Sequence, residues 1–453
     1  MKNLIFFLGF VFLYNSVSGQ NYYITQPEGF GAAATGGGNP TPANTVTVSN
    51  YTAFKNALTS TTTANSVILV SGVIDCSYTS VALNNKTIIG LPGARLRNNQ
   101  ITIGSFVTSA QNSGILNIKS GSNNVIIRNL IFEGPGAYDV DGRDNLTSDG
   151  CTNLWVDHCE FQDGMDGNFD NKGLSDNITI SWCKFTYLKP AIAGGSGGSN
   201  DHRFSDLIGS SATDFPVDGH YSITFQNCYW ANGCKERMPR ARNAEIHILN
   251  CYYNTDVSGS LAIGLGGGAN NSSCYVESTN FASITSRYRN YISTDGGTVA
   301  INFSNCLNLN GTLNVGSVAP PTYSYSVIPA NDVATYIPNV TCGAGATLNV
   351  SAAGVLSTSC PNVMGITEIN DSAKVSHYPT FVENELNLDF TNTISGEAKI
   401  AIYSISGKKV FNHDFTVTTF QKNTFNLSSL SSGLYLVNLQ INQFSTNWKI
   451  VKK

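Results

Sequence analysis

Short runs of alternating apolar and polar residues recur through the middle of the chain, each closing on Asn or Cys and then an aromatic. The run appears as Asn124-Val-Ile-Ile-Arg-Asn129-Leu-Ile-Phe132 and again as Asn153-Leu-Trp-Val-Asp-His-Cys159-Glu-Phe161. It returns as Asn177-Ile-Thr-Ile-Ser-Trp-Cys183-Lys-Phe185, Ser222-Ile-Thr-Phe-Gln-Asn-Cys228-Tyr-Trp230 and Glu245-Ile-His-Ile-Leu-Asn-Cys251-Tyr-Tyr253, with weaker copies ending at Phe281 and Cys306. Most recurrences are about 23 to 30 residues apart, and the long step from Cys183 to Cys228 holds a Gly/Ser-rich insertion from Gly194 to Ser211. A repeat of this length with short strands and no long helix predicts a solenoid, one coil per repeat, with strands stacked in parallel on the coil before. Period-two alternation sends Ile, Val and Phe inward. The recurring Asn and Cys are expected to stack in a column, where Asn hydrogen-bonds its neighbours and Cys fills space. Stacked cysteines could also pair, and Cys228/Cys234 and Cys342/Cys360 are looser disulfide candidates.

Ser49-Asn50 can cap a helix over Tyr51–Leu58 that places Phe54 and Leu58 on one face and closes the apolar end of the coil. From about Thr322 the repeat fades into a tail rich in Pro, Ala, Ser and Gly. Beyond it, Glu385–Phe390, Ala398–Tyr403 and Gly433–Leu439 alternate as strands parted by turn residues, which predicts a small β-sandwich. The expected organisation is a signal peptide over 1–19, a parallel β-helix over 20–330, a closing tail and linker over 331–365, and a C-terminal sandwich over 366–453. For the first segment, Lys2 supplies the positive start, Leu4–Tyr14 the apolar stretch, and Val17-Ser-Gly19 the small residues for cleavage.

Of 453 residues only 12% are charged, and the net charge is −4, so nothing global points to nucleic acid. Eleven cysteines and six histidines show no spacing suited to zinc. Against this thin background two clusters stand out. Asp139, Asp141, Asp144, Asp163, Asp166 and Asp170 lie about one coil apart, so stacking brings them to one side. Carboxylates gathered in this way suit Ca²⁺, which takes six to eight oxygens; the same spacing also suits solvated aspartates capping turns. Lys235, Arg237, Arg240 and Arg242 surround Met238-Pro239, and Lys189 follows the strand containing Trp182. They form either a solubilising loop or a strip that clamps an acidic polymer.

Trp155-Val-Asp-His158, Ile178-Thr-Ile-Ser-Trp182 and Arg237-Met-Pro-Arg-Ala-Arg242 closely resemble the family 1 pectate lyases, and Val125–Leu130 does so loosely. Gly29-Phe-Gly31, Gly36–Gly38 and Asn85–Gly90 are also similar, so the likeness runs from about Gly29 to Tyr325. It implies an all-β, right-handed parallel β-helix and a calcium-dependent lyase that cleaves α-1,4-linked polygalacturonate by β-elimination. It implies Ca²⁺ ligands at Asp144, Asp166 and Asp170; Gly142 occupies the family's second upstream aspartate position, where either Asp141 stands in or the site has one ligand fewer. It implies Arg237 as the catalytic base, Arg242 and Lys189 as substrate residues with Arg240 beside them, and supporting roles for Trp155 and His158. Lys189 lies one residue closer to its strand than the family pattern has it. Pectin lyase, polygalacturonase and a non-catalytic polysaccharide-binding β-helix are the alternatives.

Ile400–Lys409, Leu430-Ser-Ser-Gly433-Leu-Tyr-Leu436 and the Lys449–Lys453 ending resemble type IX secretion sorting domains, which implies export to the medium or the cell surface and a secretion-machinery partner. A carbohydrate-binding sandwich is the alternative. The protein is expected to act as a monomer on an acidic polysaccharide.

Overall fold

The computed structural model describes residues 22–98, 110–358, 360, 375–390, 395–418, 421–441 and 444–453; the expected signal peptide lies outside them. Residues Tyr22–Pro361 form one compact unit and the described residues after them another.

The first unit is the parallel solenoid that the repeat predicts and the right-handed β-helix that the resemblance implies, its strands running in parallel register from coil to coil. Each full coil has three faces. Strand Leu146–Asp157 bends over two of them, and Glu160–Gln162 supplies the third. Phe169–Lys172, Asp176–Ser181 and Lys184–Thr186 then repeat the path one layer up. Here the first face is the one carrying 169–172, 207–208, 240–241, 261–265 and 286–290.

Period-two alternation fills the interior with rows of like residues. On the third face Phe132, Phe161, Phe185, Trp230, Tyr253 and Phe281 stack ring on ring, with centroids 4.5 to 5.5 Å apart and planes within 14°. Offset stacking of this kind adds about 0.5–1.5 kcal/mol per pair beyond area burial.

The expected single column of Asn and Cys is two adjacent positions. Asn129, His158, Trp182, Asn227 and Asn250 hold the turn between the second and third faces at φ from 47° to 58°, a left-handed conformation to which Asn is suited. The next residue, Leu130 or one of Cys159, Cys183, Cys228 and Cys251, is buried in the core. Asn250 donates to Asn227 Oδ1 at 2.9 Å, so the amide ladder exists where two Asn are neighbours. The four cysteines are free, as is Cys234, whereas Cys342 and Cys360 are bonded.

The capping helix spans Tyr51–Thr59, with the Asn50 side chain accepting from Ala53 N at 2.9 Å and Phe54, Ala57 and Leu58 buried in the core. Its C-terminal end is fastened by Lys86, whose Nζ donates to the carbonyls of Ala57, Ser60 and Asn65 at 3.3, 2.7 and 2.6 Å. A cation here satisfies orphan helix carbonyls and opposes the negative end of the helix dipole. Lys86→Met should therefore lower stability by about 1–3 kcal/mol, read as a fall in denaturation midpoint at constant m-value.

The C-terminal unit pairs a three-stranded antiparallel sheet (Val375–Tyr378, Glu385–Phe390, Lys422–Asn426) with a five-stranded sheet that includes Gly396–Ser404 and Gly433–Ile441. Leu386 and Leu388 from one sheet share a core with Ile400, Ile402, Val437 and Leu439 from the other, which makes it the expected sandwich.

Candidate active site

Three loops that leave the third face and re-enter the first carry most of the chemistry. Asp144 ends the first, two residues before the strand Leu146–Asp157. Asp166 sits on the second, residues 163–168, with Asp170 just inside the strand it feeds. Arg237 lies on the third, residues 231–239. Register pairs Asp170 with Thr147 one layer down. Stacking thus brings together residues from successive coils that are 22 to 93 positions apart in the chain.

Asp144 and Asp170 are each 6% exposed. Asp144 Oδ2 accepts from Thr147 Oγ1 at 3.0 Å, and Asp170 Oδ1 accepts from the Leu207 amide at 2.9 Å. Both carboxyls are pushed up. Burial and then the charge of Asp166 raise Asp144 to about 6; burial and then the charge of Asp144 hold Asp170 well above the usual carboxylate range, and Arg237 opposes the rise at both. Asp144, Asp166, Asp170 and Arg237 therefore share one electrostatic neighbourhood on one wall.

Gly167 stands between the two buried carboxylates. A Cβ there would lie 2.7 Å from Asp144 Oδ1 and 3.0 Å from Asp170 Oδ1, so only glycine leaves that space open. Oxygen donors in mutual repulsion around a small gap fit a hard divalent cation of the calcium type. Among the described residues no three His, Cys, Asp or Glu side chains close into a finished metal cage. Asp144 and Asp170 flank the gap, and Asp166, 21% exposed, faces His202. Gly167→Ala should abolish cation-induced thermal stabilisation while leaving the circular dichroism of the coil unchanged.

The other expected site residues fall differently. Asp141 is exposed, and its charge is not among the leading influences on Asp144 or Asp170. Lys189 Nζ donates to the Gly134 carbonyl at 2.8 Å and lies 3.8 Å from Glu133 and 3.9 Å from Asp163. The ammonium beside the carboxylate pair is that of Lys172. Burial works against its charge, but Asp144, Asp170 and Asp149 outweigh burial and hold it above the usual lysine range. Period two could have found Lys172, which lies two residues from Asp170 on the same strand face.

Arg237 adopts φ 59° and lays its guanidinium 4.2 Å over the Phe204 ring, while its carbonyl accepts from the Asp206 amide at 2.6 Å. Arg240 is 7% exposed, stacks 3.9 Å over Tyr291, and pairs through NH2 with Asp295. Arg242 is half-buried; its Nε lies 3.1 Å from the other Asp295 oxygen, and its NH1 donates to the Gly209 carbonyl at 2.7 Å. Asp295 thus ties both arginines from more than 50 residues away, and no local pattern marks it.

Trp155 and His158 belong to the second face. Asp157 accepts from Arg128 Nε (2.8 Å), Ser181 Oγ (2.6 Å) and His158 Nδ1 (2.8 Å), and Trp155 Nε1 donates to Ser181 Oγ at 2.8 Å. This closed, buried network braces three coils away from the carboxylates.

The family model described as "Pectate lyase" matches residues 20–347, and that described as "Secretion system C-terminal sorting domain" matches 376–453. Among curated proteins, a pectate trisaccharide-lyase of Thermotoga sp. (strain RQ2) is 33% identical over 210 residues, covering 43% of this chain and 48% of that protein. Pectate lyase D of Dickeya chrysanthemi is 31% identical over 267 residues, covering 50% and 61%. The chain spans about half the length of the first of these relatives. Among solved structures, a thermostable pectate lyase superposes with TM-score 0.52 at 21% identity over 72% of this chain and 99% of that one. A pectate lyase of Paenibacillus sp. 0602 does so with TM-score 0.55 at 17% identity over 74% and 98%. At these identities the structures speak for the fold.

Proposed function

The chain belongs to the pectate lyase family, and from that premise we propose that it is a calcium-dependent lyase that cleaves α-1,4-linked polygalacturonate by β-elimination to give unsaturated oligogalacturonates. The observation that carries this reading is the meeting of Asp144, Asp166, Asp170 and Arg237 on one wall, with the Gly167 gap between two buried carboxylates.

Asp144, Asp166 and Asp170 would hold the ion; Asp141 would serve only as an outlying charge. Bound there, Ca²⁺ would neutralise a uronate carboxylate and so acidify the adjacent C5 proton. Lys172 and Arg242 provide cationic donors for that carboxylate and its neighbours along the polymer. Lys189 would meet the polymer at the Asp163 side, and Arg240 supports Arg242 through their shared Asp295. Arg237 takes the C5 proton, the electron pair of the C5–H bond forms the C4–C5 double bond, and the C4–O bond breaks toward the leaving oxygen.

Export follows from the C-terminal sorting domain, with its secretion machinery as partner, and delivers the enzyme to the medium or the cell surface. The test is polygalacturonate turnover followed by the ultraviolet absorbance of the unsaturated product. Activity should vanish in chelator and return with Ca²⁺. A hydrolytic product would point to polygalacturonase, chelator-resistant cleavage of methyl-esterified polymer to a pectin lyase, and binding without turnover to a non-catalytic protein.

A further inference from the structure

The Gly/Ser-rich insertion that lengthens one coil carries a histidine into the carboxylate cluster. His202 is 5% exposed, and its ring lies between two aspartates: Nδ1 is 3.4 Å from Asp166 Oδ1 and Nε2 is 3.5 Å from Asp139 Oδ1. The insertion is shaped to hold it there. Asp139 Oδ1 accepts from the Ser199 amide at 3.0 Å, and the Asp139 carbonyl accepts from the Gly197 amide at 2.9 Å. A Cβ on Gly197 would lie 2.6 Å from the imidazole, so the backbone presses directly against the ring. On its other side His202 packs against Phe204 at 4.9 Å, the ring that carries Arg237.

Asp166 needs such a support. It stands on a loop with glycines at 164 and 167, and His202 is the one basic side chain within 4 Å of its carboxylate among the described residues. Its neighbours Asp144 and Asp170 repel it. A partly exposed carboxylate in that field would swing to solvent without a counter-contact.

We infer that His202, fixed by Asp139, is a positioning residue that holds the Asp166 carboxylate at the mouth of the gap between Asp144 and Asp170, and so sets the strength of cation binding. This role rests on the calcium reading above. It also gives a task to Asp139, an acidic residue outside the carboxylate cradle, and to the insertion.

The experiment is calorimetric titration of Ca²⁺ into the full chain, with the metal-free melting curve of each variant alongside. His202→Phe keeps a ring against Phe204 and removes both nitrogens; it should weaken Ca²⁺ binding about 10- to 100-fold. His202→Gln, which can still reach an aspartate, should recover much of the loss. Asp139→Asn should weaken binding, and added to His202→Phe it should cost little more, because both act through one contact. Should the phenylalanine variant not melt cooperatively, the Gln and Asn variants decide. An unchanged dissociation constant in His202→Phe or in Asp139→Asn overturns the role, as does tighter binding, which would make His202 a competitor of the ion. Unmodified protein that takes up no Ca²⁺ would sink the calcium reading together with this role; unaltered binding in the variants alone sinks only the latter.

Discussion

Arg237→Ala should lower kcat on polygalacturonate by about 10²- to 10⁴-fold, while Ca²⁺ affinity and the melting temperature stay close to those of the unmodified protein. The separation is expected from where the residue stands. Its backbone is fixed in the left-handed region, and its carbonyl is bonded to the Asp206 amide, contacts that alanine retains at some conformational cost. Its guanidinium rests on Phe204 and is not part of the core. Arg237→Lys gives the sharper test. Lysine loses its proton about two to three pH units below arginine, so a residual proton-transfer activity should show its alkaline limb shifted toward neutrality. A variant that keeps more than a tenth of the activity, or an unshifted limb, would move the base elsewhere, with Lys172 the first candidate.

How far the chain could be read follows from the range of the forces involved. The coil was legible because period-two alternation and a fixed repeat state the same fold many times over, and each copy, such as Ile178–Trp182, corroborates the others. Asp144 and Asp170 were legible because one coil in sequence is one layer in space. The capping helix was legible through Asn50 and the Phe54/Leu58 face. What escaped lies where loops of unequal length meet. Lys189 follows a strand and Lys172 ends one, and only Lys172 is on the strand face shared with Asp170; Lys189 precedes the long insertion and turns to Asp163. His202 reaches Asp166 because that insertion folds back, a path that no periodicity describes. Arg240 looked available for a polymer, yet Asp295, two coils on, draws it inward. The shared Asn/Cys column divided because one pattern position needs a positive φ and the next needs a small apolar side chain, constraints that single letters do not separate.

Asp144→Asn should move stability and function in opposite directions. The folded carboxyl titrates near 6 against an ordinary 3.8, because burial and the charge of Asp166 penalise its anion. The folded state therefore holds a proton that the unfolded chain has already lost, and stability falls as pH rises from about 4 to 6 and stays reduced above. Metal-free protein should accordingly melt lower at pH 7.5 than at pH 5. Asparagine keeps the shape and can still accept from Thr147, but it carries no charge, so the variant should lose the Asp144 share of that pH dependence and keep the share of Asp170. At pH 7.5 in chelator it should gain on the order of 2–3 kcal/mol over the unmodified protein, the linkage equivalent of a shift of about two pH units. Calcium should reverse the order. A hundredfold excess over its dissociation constant adds about 2.7 kcal/mol to a chain that binds it, and nothing to one whose cradle has lost a carboxylate. The unmodified protein should then equal or exceed the variant, and only it should cleave polygalacturonate. Melting curves at the two pH values, each with chelator and with Ca²⁺, decide the matter. A variant less stable than the unmodified protein in chelator at pH 7.5, or one that still responds to calcium, would mean that Asp144 and Asp170 are braced by something other than an awaited ion.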